Sequence, residues 1–419
     1  MAGKKAAMNI SRRKLLLGGV GSAAFMFGTN IPFLKNMPKG LLPVAYANDD
    51  VRLDDDALIA RKDGLTLLNA RPINMETPAH LLDDAITPAS RLFVRNNGIV
   101  PDYEEHPADS WTITIDGEVE TPLTLSIADL KRDFEVVTKQ LWIECGGNGR
   151  KFYEPGASGN QWSLGAIGCP QWTGVRLRDV LKKAGVKDTA VYTAHHSVDM
   201  HLSGDPEKAP ISRGVPISKA LEEDSIIAFE MNGEPLPVLN GFPVRLVVPG
   251  WPGSCSQKWL KRIEIRDQIH DGPKMTGTAY RMPAYPVSPG TEVPKEDMVI
   301  IHEMPVKSLV TYPVTGSRVK LGEKVEFRGH AWSGQGDVSE MEVSIDFGAT
   351  WQKAKLDKPV NKFAWQHWKA MLTFPKAGYY EVWARATDHT GTSQPSVVPG
   401  WNPKGYLNNM QHRVAVFAV

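Results

Sequence analysis

Thiols are scarce in this chain: Cys145, Cys169 and Cys255 are the three cysteines among 419 residues, too few for a disulfide framework. Their odd number leaves at least one without a partner inside the chain, so one cysteine needs another use. No C-x-x-C or H-E-x-x-H spacing occurs. His195 and His196 are adjacent, so on a strand they point to opposite faces, which argues against a shared zinc. Long apolar runs are also missing. The one candidate, Leu17 to Phe27, is too short for a stable membrane span. No internal repeat or low-complexity stretch is visible. What remains is a chain with 42% hydrophobic, 8% aromatic and 23% charged residues, the composition of a folded protein with room for two or three domains.

The first 47 residues differ from the rest. Ser11-Arg12-Arg13-Lys14-Leu15-Leu16 precedes the apolar run, and Ala45-Tyr46-Ala47 supplies a small-x-small cleavage pattern. Together they read as a twin-arginine signal peptide, the export route of proteins folded beforehand around a cofactor. An ordinary secretory signal or an uncleaved anchor is the competing reading. The expectation is a periplasmic protein starting near Asn48, with no membrane span in its mature form. The segment carries Lys4, Lys5, Arg12, Arg13, Lys14, Lys35 and Lys39 and no acid, so its removal takes the formal charge from +1 to −6. An acidic mature chain is a poor nucleic-acid binder and a good target for a basic electron carrier.

From about Asp49 to Ser90 the sequence is polar and reads as an irregular arm. Alternation over Trp111 to Val119 predicts a strand and hairpin, and Ser126 is placed to cap a short helix after it. Val137 to Glu144 predicts a strand running into the loop Cys145-Gly146-Gly147-Asn148-Gly149-Arg150. Val175 to Leu181 starts a helix, and Val244 to Gly250 is a buried strand ending in a turn. Helices and strands mix without a regular βαβ rhythm, which favours α+β. After about residue 300 short alternating strands follow one another without a helix, around Val319, Val325, Met341, Ala370 and Tyr379. That pattern predicts an immunoglobulin-like β-sandwich. The expected division is residues 48–295 for one domain and 296–419 for the sandwich.

Cys145 stands where a strand meets a glycine-rich loop, a place where its sulfur can face a cavity and the backbone can approach a bulky ligand. A thiolate there is a soft metal ligand, and Arg150 nearby favours the deprotonated form. Taken alone, a cysteine in an exported protein more often serves a disulfide or a core, so the surrounding blocks decide.

Those blocks are Leu92-Phe93-Val94-Arg95-Asn96-Asn97, Glu144 to Arg150, Asn240-Gly241-Phe242-Pro243-Val244-Arg245, and Pro249-Gly250-Trp251-Pro252-Gly253-Ser254 continuing to Lys258-Trp259-Leu260. Together they resemble the sulfite oxidase family of mononuclear molybdenum enzymes over nearly the whole mature chain. The sandwich, with Trp401-Asn402-Pro403-Lys404-Gly405-Tyr406-Leu407-Asn408-Asn409, resembles that family's dimerisation domain, which implies a homodimer. No cytochrome b5-like His-Pro-Gly-Gly segment occurs, so the chain is similar to the haem-free bacterial type. The resemblance implies an α+β molybdopterin-binding domain followed by the sandwich. It makes Cys145 the single protein ligand to molybdenum, with one pterin per chain. It places Arg95, Asn96, Asn97, Asn240, Arg245, Ser256, Gln257 and Lys258 around the cofactor, with Asp199 aligned more loosely. Multiple cationic and amide donors suit a phosphorylated pterin. Asn97 and Asn240 depart from the histidines of the animal enzymes, and Lys404 from a further arginine.

For substrate, the resemblance assigns Arg95, Arg150, Tyr280 and Trp162 to the catalytic pocket. Guanidinium forks match the charge and shape of sulfite; the bland alternative pairs both arginines with surface carboxylates, and an isolated tyrosine is more often a core residue. The implied reaction is oxidation of sulfite to sulfate, with electrons leaving one at a time to a separate c-type cytochrome. Nitrate reduction, sulfane-sulfur oxidation and sulfoxide reduction are alternatives on the same fold. A metal-free periplasmic binding protein is the alternative from another class.

Overall fold

The computed structural model describes residues 55–102 and 107–419. The expected signal, Arg12 and Arg13 included, lies outside the described residues. The polar segment read as an irregular arm contains, from Asp55 onward, a helix at Asp55–Ala60 and an antiparallel pair of strands at Thr66–Ala70 and Ile73–Glu76. The correction has a physical cause. Ile73 to Glu76 is buried although half of its residues are polar, because Asn74 and Glu76 find hydrogen-bond partners: the Asn74 side chain receives the Asn96 backbone N–H at 2.9 Å, and the Glu76 carboxylate receives the Ser163 backbone N–H at 2.7 Å and its hydroxyl at 2.8 Å.

The first half of the described chain packs two sheets with helices between and around them. One joins Glu234–Pro235, Ile226–Met231, Gln171–Arg176 and Val136–Gln140, with Arg245–Val247 paired to the second of these. The other runs Tyr192–Ser197, Leu260–Arg266, Thr112–Gly117 and Leu123–Ser126, with one parallel pair at its centre. Helix Ile127–Asp133 begins with a reciprocal cap: the Ser126 hydroxyl accepts the Asp129 N–H, and the Asp129 carboxylate accepts the Ser126 N–H. Helix Leu177–Ala184 turns Leu177, Val180, Leu181 and Ala184 into a core with Ile113, Ile115, Leu246, Ile263 and Ile265, the 3–4 spacing of one helical face. The strand expected from Val137 to Glu144 is interrupted. Val136–Gln140 belongs to the first sheet, while Ile143–Glu144 pairs with Ile167–Gly168. Between them Leu141 and Trp142 are both buried, so the chain needs no alternating face there.

The second half is the β-sandwich. Its layers are Lys307–Tyr312, Val325–Trp332, Gln366–Leu372 and Lys355–Leu356 against Ser317–Val319, His412–Ala418, Gly378–Asp388, Val338–Ser344 and Gln352–Lys353. Gln366–Leu372 and His412–Ala418 alternate between buried and more exposed residues, and their inward side chains meet Val310, Phe327, Met341 and Val382. Among the described residues no helix is long and apolar enough to cross a membrane.

The sandwich reaches the first half through buried polar contacts. Lys307 Nζ lies 2.6 Å from the Glu144 carboxylate, with side-chain exposures of 5% and 0%. Trp332, which stands directly opposite Lys307 on the neighbouring strand, donates its indole N–H to the same carboxylate at 2.9 Å. Glu144 immediately precedes Cys145, so the sandwich grips the start of the cysteine loop.

Candidate active site

Cys145 opens onto a cleft whose walls come from distant parts of the sequence. Arg95, Asn96, Asn97, Asp199, Asn240, Arg245, Ser256, Gln257, Lys258 and Tyr280 all line it. Cys145 is 7% exposed; its N–H donates to the Ala166 carbonyl at 2.9 Å and its carbonyl receives the Asn148 N–H at 2.8 Å. The other two cysteines are buried elsewhere, and all three thiols are free, which resolves the open pairing. A Cβ on Gly147 would fall 2.5 Å from the Arg150 guanidinium and displace it, so this glycine makes room for Arg150 where it stands.

One wall is cationic and short of counter-charge. Arg245 donates to the carbonyls of Asn240 at 2.8 Å and Ser256 at 2.9 Å. Lys258 donates to the Leu239 carbonyl at 2.8 Å and to the Asn96 side-chain oxygen. Arg95 reaches the Asn97 side chain at 2.8 Å and the Asn96 carbonyl. Among the described residues none of the three makes an ion pair. Burial holds Arg245 down at about 9 and Lys258 well below the usual ammonium range. Cationic groups held at the cleft on backbone and amide oxygens, without an ion pair, favour an arriving anion. Asp199 is the carboxylate in this lining; it is 7% exposed, accepts from Ser197, and is pushed up to about 6 by burial.

Polar atoms without partners point the same way. Asn96 Nδ2, Ser254 Oγ and Gln257 Oε1 are buried at the cleft with no hydrogen-bond partner. A group that brings a phosphate to the cations and ring amides to these donors and acceptors would satisfy both deficits. The residues present therefore fit a phosphorylated pterin, with Cys145 as the thiolate beside it.

The structure gathers the expected catalytic residues only in part. Tyr280 lines the cleft at 5% exposure. Arg150 and Trp162 do not. Arg150 lies beside the cleft, 6% exposed, donating to the carbonyls of Lys404 at 2.8 Å and Asn160 at 3.0 Å. It has no carboxylate partner among the described residues, so the surface ion pair considered for it and for Arg95 is absent there. Trp162 is fully buried in the core cluster that holds Cys145, edge-on to Phe93, and its indole N–H has no partner. The adjacent histidines diverge as expected: His195 is fully buried on Thr193, and His196 faces Glu264 at 3.4 Å.

Sequence reasoning missed three neighbours. Lys62, in the segment read as an irregular arm, donates to Asn240 Oδ1 at 2.7 Å, and burial lowers it to about 7. Arg213 sits 4.8 Å from the Tyr280 ring, and Tyr406 stacks on that ring at 5.5 Å. Only Tyr406 left a signal, inside the Trp401 to Asn409 block.

Comparison with known proteins agrees with this geometry. Residues 97–274 match the oxidoreductase molybdopterin binding domain, and residues 298–418 match the Mo-co oxidoreductase dimerisation domain. Sulfite oxidase of Gallus gallus is 34% identical over 368 residues, covering 84% of this chain and 78% of that protein. Mitochondrial sulfite oxidase of Macaca fascicularis is 35% identical over 390 residues, covering 89% and 67%. The crystal structure of the sulfane dehydrogenase SoxCD from Paracoccus pantotrophus superposes with a TM-score of 0.67 at 25% identity, covering 92% of this chain and 96% of that one. With a cysteine loop, an unpaired cationic wall and this likeness over both halves, the chain belongs to the sulfite oxidase family of molybdenum oxidoreductases and uses a molybdenum-molybdopterin cofactor.

Proposed function

We propose that this protein is a periplasmic sulfite dehydrogenase that converts sulfite and water to sulfate, two protons and two electrons, and delivers the electrons singly to a c-type cytochrome. The observation that carries the reading is the convergence of Cys145, Arg95 and Tyr280 on one cleft whose cations, Arg95, Arg245 and Lys258, make no ion pair among the described residues. Arg245, Lys258, Asn96, Asn97, Asn240, Ser256 and Gln257 would hold the pterin and its phosphate, and Cys145 would ligate the metal. Asp199 would meet the pterin ring from the opposite charge. When bound, the cofactor supplies the two-electron couple and the oxygen-transfer centre. The chain's own part is binding and orientation. Arg95 draws the oxyanion in and fixes it by paired N–H groups, Arg150 adds positive potential from beside the cleft, and Tyr280 offers its hydroxyl as a hydrogen-bond donor. Trp162 would support the cysteine loop from the core it shares with Cys145.

The acidic mature surface favours a basic cytochrome as acceptor, through steering that weakens with salt. The dimerisation domain supports a homodimer. A second reading, a sulfane-sulfur dehydrogenase subunit, is favoured by the SoxCD likeness.

The test is molybdenum analysis with sulfite-dependent cytochrome c reduction, on the wild type and on Arg150→Gln. Removing one ionic hydrogen-bonding group typically costs about 1.5–3 kcal/mol, so kcat/KM should fall roughly tenfold to a hundredfold. KM should rise and kcat fall, with molybdenum content near normal. Unchanged sulfite kinetics at full molybdenum would exclude a part for Arg150 in anion binding. Oxidation of sulfane sulfur without sulfite turnover would favour the second reading, and a molybdenum-free product the binding-protein reading.

Export has its own assay. Changing Arg12 and Arg13 together to Lys should strand precursor in the cytoplasm if a twin-arginine translocase reads them. Normal periplasmic yield would refute that route alone.

A further inference from the structure

We infer that Tyr406 is a positioning residue that holds Tyr280 and Arg150 in the geometry the anion pocket uses. The inference rests on the sulfite-oxidising reading of the cleft. Its starting point is a strained backbone: Tyr280 has φ +52°, a left-handed conformation that a side chain as large as tyrosine rarely adopts. Such a residue persists only where its surroundings fix it. Here the Tyr280 N–H donates to the Tyr406 hydroxyl at 3.2 Å, and the Tyr280 carbonyl accepts the Ile301 N–H at 3.2 Å. The two tyrosine rings stack at 5.5 Å with 19° between their planes.

The contacts continue in both directions. The Arg150 guanidinium lies 5.0 Å from the Tyr406 ring, and the Arg213 guanidinium lies 4.8 Å from the Tyr280 ring. Arg150, Tyr406, Tyr280 and Arg213 therefore form a run of planar groups in which each touches the next, attracted through cation–π and stacking contacts. Tyr406 links the two members that the proposed chemistry uses.

Tyr406 is itself locked. Its N–H donates to Asn402 Oδ1 at 3.0 Å, and its carbonyl receives Asn402 Nδ2 at 3.0 Å and the Tyr153 hydroxyl at 2.7 Å. Gly405 before it has φ +58°, and a Cβ there would come within 2.8 Å of the Arg150 side chain. The Lys404 carbonyl takes the Arg150 Nε–H. This segment connects Gly378–Asp388 to His412–Ala418, two strands of the sandwich. The dimerisation domain thus packs directly against Tyr280 and Arg150. Burial raises the Tyr406 hydroxyl to about 12, so it remains a neutral acceptor for the Tyr280 N–H and not a base.

Two variants separate its contacts. Tyr406→Phe keeps the stack and removes only the acceptor of the Tyr280 N–H. Stranding a buried donor typically costs enough for about a tenfold change, so kcat per molybdenum should fall about tenfold while sulfite KM stays within about twofold. Tyr406→Leu also removes the ring beside Arg150, and KM should then rise about tenfold as well. In a Tyr280→Phe background the Tyr406→Phe step should add little to the kcat loss, because the Tyr406 hydroxyl acts through the placement of the Tyr280 hydroxyl, which is then already gone. Independently of turnover, a crystal structure of the Tyr406→Phe holoenzyme should show Tyr280 displaced or in two conformers. Unchanged kcat and KM per molybdenum in both variants, or a full additional tenfold loss in the Tyr280→Phe background, would overturn the inference. If the wild type does not oxidise sulfite, the structure alone decides: Tyr280 unmoved in Tyr406→Phe overturns it, and Tyr280 displaced supports it.

Discussion

Replacing Cys145 with serine should abolish sulfite turnover while leaving a folded protein. Serine differs from cysteine by one atom of similar size, and the backbone contacts of the position, to Ala166 and from Asn148, do not involve the sulfur. The fold therefore has little to lose. The metal has much to lose, because a hydroxyl is a far poorer soft-metal ligand than a thiolate and stays protonated near neutral pH. Activity should drop below detection, and either the molybdenum content or the visible spectrum of the bound centre should change. The matched changes Cys169→Ser and Cys255→Ser should retain most turnover. Cys169 is buried against Trp365, whose N–H it accepts at 3.5 Å, and burial pushes its thiol up to about 12, so it is no thiolate at neutral pH. Near-normal activity in Cys145→Ser would exclude it as the ligand, and circular dichroism checks that an inactive variant has folded.

The second large effect concerns stability. Lys307→Met should destabilise the folded chain by about 3–5 kcal/mol, because it leaves the fully buried Glu144 carboxylate without its cation. Asn148 Nδ2 and the Trp332 indole would still donate to that carboxylate, both at 2.9 Å, but neutral donors offset only part of its lost hydration. The double variant Glu144→Gln with Lys307→Met removes both charges and should recover a good part of the loss. The measurement is urea unfolding of all three proteins, followed by a secondary-structure signal. A single-variant loss of less than about 1 kcal/mol would show that the pair contributes little. Since Glu144 adjoins Cys145, the Lys307 variant should also load molybdenum less completely.

Much of this was legible without coordinates. The sandwich could be read because an exposed-buried alternation over five to eight residues is a local pattern, as in Gln366–Leu372. The Ser126 cap could be read because its partner, Asp129, is three residues away. Cys145 and the cleft residues Arg95, Asn240, Arg245 and Lys258 were reached through resemblance, on blocks whose residue order is distinctive. The arm failed because polar residues suggest a solvated segment unless their buried partners are known. Arg150 and Trp162 were reached through the same resemblance; the packing places Arg150 beside the cleft and Trp162 in the core behind the cysteine, positions that no block of sequence records.

By itself, then, the sequence determined the strand and helix periods, the two-part order of the chain, the absence of a disulfide framework and the identity of the cysteine loop. All of these depend on residues close together along the chain or on the residue order within a block that carries the resemblance. Tertiary structure alone decided that Lys307 meets Glu144 across 163 residues, that Tyr406 meets Tyr280 across 126, and that Arg95, Arg245 and Lys258 line one cleft without an ion pair among the described residues. Such encounters are set by how whole sheets pack, and the energy of a buried charge depends on every group around it, so no local pattern records them.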